Sequence, residues 1–254
     1  MRVLRLADFL FLLFILAEQI FTARWRNFME NKELIDRSPI RFFENSTNGG
    51  LKSGEIGAIT SKKGLGKTSV LVQLGMDALL QNKKIVHISF DQQSDSAITW
   101  YEDIFAEITK KKNIIKIDEL KDNLLKNRIL LNFNQDIISG SQIVNTLSAL
   151  SSGGIKIETL IIDGLDFARI DDNMLKELKA YAQKAGLVVW FSTNTDETDA
   201  KKMFSENAAS NIDAVIYLEQ KPDSIQMRVL KIRDEKLPES NLKLDSKTLL
   251  LAEK

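Results

Sequence analysis

No cysteine occurs in the 254 residues, which removes disulfides, thiolate zinc sites and cysteine nucleophiles together and suits a reducing compartment. Histidine is scarce as well. The single one, His87, lies inside the apolar run KKIVHISF, where a lone imidazole reads as a core residue with no catalytic role. Net charge is absent: 35 Lys and Arg balance 35 Asp and Glu, so no overall field draws the chain to nucleic acid, although a local patch could still do so. Three prolines are too few to mark a linker, and no internal repeat or low-complexity stretch breaks the chain. A hydrophobic run of membrane length is lacking too. The apolar stretch Phe9 to Ala17 follows two arginines, is closed by Asp8 and Glu18, and has nine residues against the roughly 20 that span a bilayer. Its layout is like that of a signal-peptide core. Two other readings are a short amphipathic or buried helix, and a stretch upstream of a start at Met29; membrane attachment is the less favoured outcome.

With 44% hydrophobic residues, the chain can bury the core of one large α/β domain, which we expect in preference to two small ones. From Gly49 onward, short apolar runs alternate with helical patterns, the mark of a parallel sheet wrapped by helices. GEIGAIT and KKIVHISF read as strands. Between them a helix from Lys67 to about Gln81 carries Val70, Leu71, Leu74, Ala78 and Leu79 on one face. A second helix presents Ile98, Tyr101, Ile104, Phe105 and Ile108 at helical spacing, read as core packing. A Lys- and Asp-rich helix, the strand RILLNF and a helix with Ile143, Val144, Leu147 and Leu150 inward come next, before the strand ETLIIDGLDF. The following helix ends at Gly186, a C-terminal cap, and leads to the buried strand LVVWFSTN. After Asn211 the texture changes to a run of strands, expected to be antiparallel, with turns at Lys221-Pro222-Asp223 and at Pro238.

The chemistry is carried by AITSKKGLGKTSVLVQLG, Ala58 to Gly75. It matches the phosphate-binding pattern G-x-x-x-x-G-K-[ST] except at its first position, where Ser61 replaces glycine. A loop between a buried strand and a helix start suits anions, because the first helical N–H groups lack internal partners and the helix dipole adds positive potential. Gly64 and Gly66 let the backbone curl into a nest of N–H groups. Ser61, Lys62, Lys63, Gly64, Leu65, Gly66, Lys67, Thr68 and Ser69 therefore form the candidate cradle. In it Lys67 reaches the outer phosphates and the Thr68 hydroxyl ligates Mg²⁺. Serine at position 61 would cost roughly 1–2 kcal/mol if forced left-handed, which weakens such a loop without abolishing it. A second anchor for a magnesium nucleotide is Asp163, at the C-terminal tip of the apolar strand TLIID, where ligands of open parallel sheets bind.

The segment NGGLKSGEIGAITSKKGLGKTSVLVQLGMDALLQNKKIVHISFDQQSD resembles the nucleotide-binding core of RecA-type ATPases, the branch that includes DnaB, RadA and KaiC. The resemblance covers Gly49 to about Leu251. It implies a RecA-like core over residues 46–254, an N-terminal extension over 1–45, ATP and Mg²⁺ as cofactors, and a cytoplasmic, homo-oligomeric ATPase of regulatory or assembly-switch role with an unnamed protein partner. It implies that Asp91, where the family has glutamate, positions the attacking water. Being one methylene shorter, this carboxylate points to slow turnover. Thr193 and Asn194 match the strand tip that senses the γ-phosphate. Lys231 and Arg233 match a K-x-R element that reaches a neighbour's nucleotide, and on a strand they would share a face. The stretch TNTDETDAKKMFSEN, where DNA-binding loops of the family project, is more acidic than basic. A DNA-acting recombinase or helicase paralogue is accordingly the alternative, and a weakly hydrolysing nucleotide-sensing scaffold is a third reading.

Overall fold

Strand β1, Ile56–Ser61, is buried along its whole length, as an interior strand of a sheet covered on both faces must be. The computed structural model describes residues 18, 32–36, 38–90, 94–110, 117–134, 138–166, 172–235 and 242–253. Among these, nine strands form one sheet in the order β3-β2-β4-β5-β1-β6-β7-β8-β9. The strands after β1 are β2 (Ile85–Ser89), β3 (Arg128–Asn132), β4 (Thr159–Asp163), β5 (Val188–Asn194) and β6 (Ala214–Gln220), followed by β7 (Ile225–Ile232), β8 (Leu242–Leu244) and β9 (Leu251–Glu253). The six from β3 to β6 in that order pair in parallel, and β7, β8 and β9 extend the sheet antiparallel. The expected mostly parallel α/β sheet with antiparallel C-terminal strands is thus the observed architecture.

Helices cover both faces. Among the described residues they include α1 (Ile40–Ser46), α2 (Lys67–Leu80), α3 (Ser94–Thr109), α4 (Ile117–Leu125), α5 (Gly140–Ser152), α6 (Asp172–Ala185), α7 (Ala200–Met203) and α8 (Glu206–Ser210). On one face, Ile143 and Leu147 of α5 and Leu175, Leu178 and Ala182 of α6 pack on Ile56, Ala58, Val86, Leu160, Ile162, Val189 and Phe191. On the other, α2 lies on Ile59, Ile161 and Trp190, flanked by α1, by Leu242, Leu244 and Leu251 of the last hairpin, and by Tyr101, Ile104 and Phe105 of α3. Every residue of α2 except Thr68 is buried. Leu34, Ile40 and Phe43 join the same two clusters, so these residues pack against the domain although the resemblance begins after them.

Local chemistry explains the boundaries. Ser139 caps α5 through a reciprocal bond with Gln142, and Gly186 turns the chain after α6 at φ +69°, as its place after the helix suggested. His87 is a core residue: it is 1% exposed on β2, with Nδ1 3.2 Å from the Tyr101 hydroxyl and the two rings edge to face. Two expectations change. Ile98, placed inward by spacing alone, is 39% exposed on α3, because no described element covers that side of the helix start. Lys231 and Arg233 do not alternate along one strand: β7 ends at Ile232, the ladder to β6 is bulged between Val215 and Ile216, and Arg233 turns off at φ +49°. The turn at Pro238 and the apolar stretch 9–17 lie outside the described residues. No helix among those described is long and apolar enough to cross a membrane.

Candidate phosphate-binding site

Three neighbouring strands, β4, β5 and β1, end together at the N-terminus of α2. Side chains alternate along each strand, and Ile161, Trp190 and Ile59 all face α2. Two residues further on each strand, Asp163, Ser192 and Ser61 therefore meet the helix start. Asn194, paired in register with Ser61, shares that face, whereas the buried Thr193 points with Phe191 toward the other layer. Of the two strand-tip candidates, Asn194 is the one beside the loop.

The loop has the conformation its glycines permit. Gly64 and Gly66 both lie at φ +86°, and Gly66 occupies the N-cap of α2. Gly66 is also constrained by space, since a Cβ there would come within 2.9 Å of Leu244 Cδ1. Ser61 carries no such demand. It ends β1 in the strand's own conformation, is fully buried and is not among the positive-φ residues, so serine in place of glycine introduces no left-handed strain. Its hydroxyl faces Lys67: Lys67 Nζ donates to Ser61 Oγ at 3.0 Å, to Lys62 O at 3.0 Å and to Ser61 O at 3.4 Å. Burial pushes the Lys67 amine down to about 8, against the opposing pull of the Asp163 charge.

The two metal candidates touch. Thr68 Oγ1 donates to Asp163 Oδ2 at 2.8 Å across 95 residues of chain. The other carboxylate oxygen accepts from Ser192 Oγ at 2.6 Å, and the Gly164 N–H donates to Ser192 Oγ at 2.8 Å, which turns the hydroxyl proton onto Asp163. Ser192 is a member of the site that sequence reading missed. Its only signal was a hydroxyl two residues before Asn194, directly after the apolar run Val188 to Phe191. Among the described residues no group of three or more His, Cys, Asp or Glu could hold a metal unaided. A hydroxyl and one carboxylate suit magnesium, which keeps several waters and takes phosphate oxygens as its other ligands.

The side chains of the remaining described candidates make other contacts. Lys62 and Lys63 are exposed, and Lys62 is 3.7 Å from Asp196. Leu65 packs on the core beside α2. The Ser69 hydroxyl donates to Leu249 O at 2.9 Å and so serves the C-terminal hairpin, leaving its backbone N–H for the cradle. Lys231 Nζ donates to Ile212 O at 2.7 Å and Ala209 O at 3.1 Å, at the C-terminal end of α8. Arg233 bonds Glu55, Glu235, Gly50 O and Thr47 O. Both cations sit at the end of the sheet opposite the loop, because β7 runs antiparallel to β6 and Ile232 pairs with Ala214. Asp91 lies outside the described residues. β2 leads toward it beside Asp163, whose carbonyl accepts from Phe90 N at 3.3 Å. No family model matches the chain, and no curated protein matches it.

Proposed function

We propose that the chain is a magnesium-ATP-binding ATPase with a RecA-like core. The observation that carries this reading is the Thr68–Asp163 hydrogen bond of 2.8 Å at the mouth of a loop with two left-handed glycines. A threonine and a strand-tip aspartate brought into contact from 95 residues apart is what a metal-nucleotide site requires and what a helix cap or surface turn does not. In this reading the N–H groups from Gly64 to Ser69 receive phosphate oxygens and Lys67 balances their charge. Thr68 and Asp163 hold magnesium, and Ser192 fixes the carboxylate that does so. The metal supplies charge neutralisation at the phosphates. Asn194 reaches the outermost phosphate from β5, and Asp91 orients water. Adenine as the base rests on the family resemblance.

A homo-oligomer sharing its site would need Arg233 to exchange four acceptors in its own chain for a neighbour's phosphates. The loop, Thr68, Asp163 and Ser192 need no such exchange, since one chain brings them together. A second reading, a nucleotide sensor with little hydrolysis, is favoured by the same in-chain bonds of Lys231 and Arg233. Phosphate release from Mg-ATP separates the two, since a sensor is stabilised by ATP without releasing phosphate. Calorimetric titration with ATP, with and without magnesium, tests the reading common to both.

A further inference from the structure

The pattern's first glycine is replaced here by a side chain that touches the loop's own lysine. An ammonium has three donor positions, and those of Lys67 meet Ser61 Oγ at 3.0 Å, Lys62 O at 3.0 Å and Ser61 O at 3.4 Å. A phosphate oxygen that engages Lys67 must displace one of these acceptors. Two are backbone carbonyls fixed by the strand and loop. The third is a hydroxyl that also donates to Lys62 O at 2.7 Å, so it keeps a partner when it releases the lysine. Ser61 is fully buried, so its bond to Lys67 is shielded from solvent.

We propose that Ser61 is a positioning residue that sets the affinity of the loop: its hydroxyl competes with phosphate for the Lys67 ammonium and so loosens the grip on the ligand. The inference rests on the phosphate-binding reading of the loop. In this view the departure from glycine is a tuning device, and glycine or alanine at 61 makes the loop bind more tightly. Because Ser61 has strand conformation, alanine fits its backbone without strain.

The test uses the full chain, Ser61→Ala, Ser61→Gly and Lys67→Met. Two quantities are measured: the thermal midpoint of each protein alone, and the calorimetric affinity for sodium tripolyphosphate and for Mg-ATP. Loss of one charge-assisted hydrogen bond lowers the midpoint of Ser61→Ala. The same loss tightens binding of both ligands by about tenfold, since the phosphate no longer displaces that bond. Opposite signs for stability and affinity are the expected result, and a merely structural serine would not give them. Affinity that is unchanged or weaker in both Ser61 variants overturns the proposal, because the hydroxyl would then not compete with the ligand. Lys67→Met binding tripolyphosphate as tightly as the unaltered chain overturns instead the phosphate-loop reading beneath it.

Discussion

Arg233→Ala separates two roles that a single arginine cannot fill at once. In the structure its Nε meets Glu235 Oε1 at 3.0 Å, NH1 meets Glu55 Oε2 at 3.0 Å and Gly50 O at 3.1 Å, and NH2 meets Thr47 O at 3.3 Å. The carbonyls it binds flank the turn Asn48-Gly49-Gly50, where three successive residues have positive φ (51°, 92° and 66°). Arg233 thus clamps the left-handed turn that leads into β1 to the end of β7. The Glu55 side chain is 15% exposed and the guanidinium 22%, so solvent replaces little of what truncation removes. Loss of one part-buried charge-assisted bond, discounted for solvent screening, costs about 1–2 kcal/mol, and two carbonyls left without donors bring the total to about 2–3 kcal/mol. For a domain of this size that lowers the melting midpoint by roughly 4–12 °C. The assay is thermal unfolding by circular dichroism, run beside Arg233→Lys, which reaches fewer acceptors and should fall between. In parallel, phosphate release from Mg-ATP is measured against protein concentration. A midpoint within about 1 °C of the unaltered protein, together with a loss of concentration-dependent turnover, would refute the clamp and restore the arginine to a neighbour's nucleotide.

The loop glycines should differ in their tolerance of a methyl group. Gly64→Ala meets left-handed strain alone, whereas Gly66→Ala adds a 2.9 Å approach to Leu244 Cδ1, so the midpoint of Gly66→Ala should be the lower and its Mg-ATP affinity the weaker. Equal effects would show that the hairpin gives way freely. Burial pushes the His87 imidazole down to about 4, while Asp163 pulls it upward and Arg128 further down. The unfolded chain takes up a proton on this residue near 6.5, so its contribution is complete above that pH and is lost as pH falls from 6.5 through 4. Between pH 7 and 4.5, the stability lost in denaturant titrations should shrink by about 2 kcal/mol in His87→Gln, and an unchanged loss would place the acid sensitivity elsewhere.

What could be read from the sequence was what depends on near neighbours. The alternation of strands and helices, the span of α2, the Gly186 turn and the Lys67-Thr68 loop each need only a short window, and Asp163 was reachable because its strand is uniformly apolar. Contacts closed over long distances were not. Ser69 meets Leu249 across 180 residues and Arg233 meets Glu55 across 178, so no local pattern told a phosphate ligand from a hairpin anchor or a finger from a clamp. Spacing put Lys231 and Arg233 on one face, and a bulge with a left-handed residue took them off it. Ser61 looked like a defect because the pattern names the first glycine and the lysine as separate positions and says nothing of the contact between them. Ser192 was silent because its role exists only once β5 lies beside β4.

Whether Thr68 and Asp163 hold the metal of a nucleotide bound at this loop is decided by calorimetric titration of the unaltered chain and Asp163→Asn with ATP, each with and without magnesium. Magnesium should tighten ATP binding to the unaltered chain, and Asp163→Asn should lose this increment while still binding metal-free ATP through Lys67 and the loop amides. ATP bound with equal affinity whether or not magnesium is present, or not bound at all, would show that these two residues hold no metal-nucleotide.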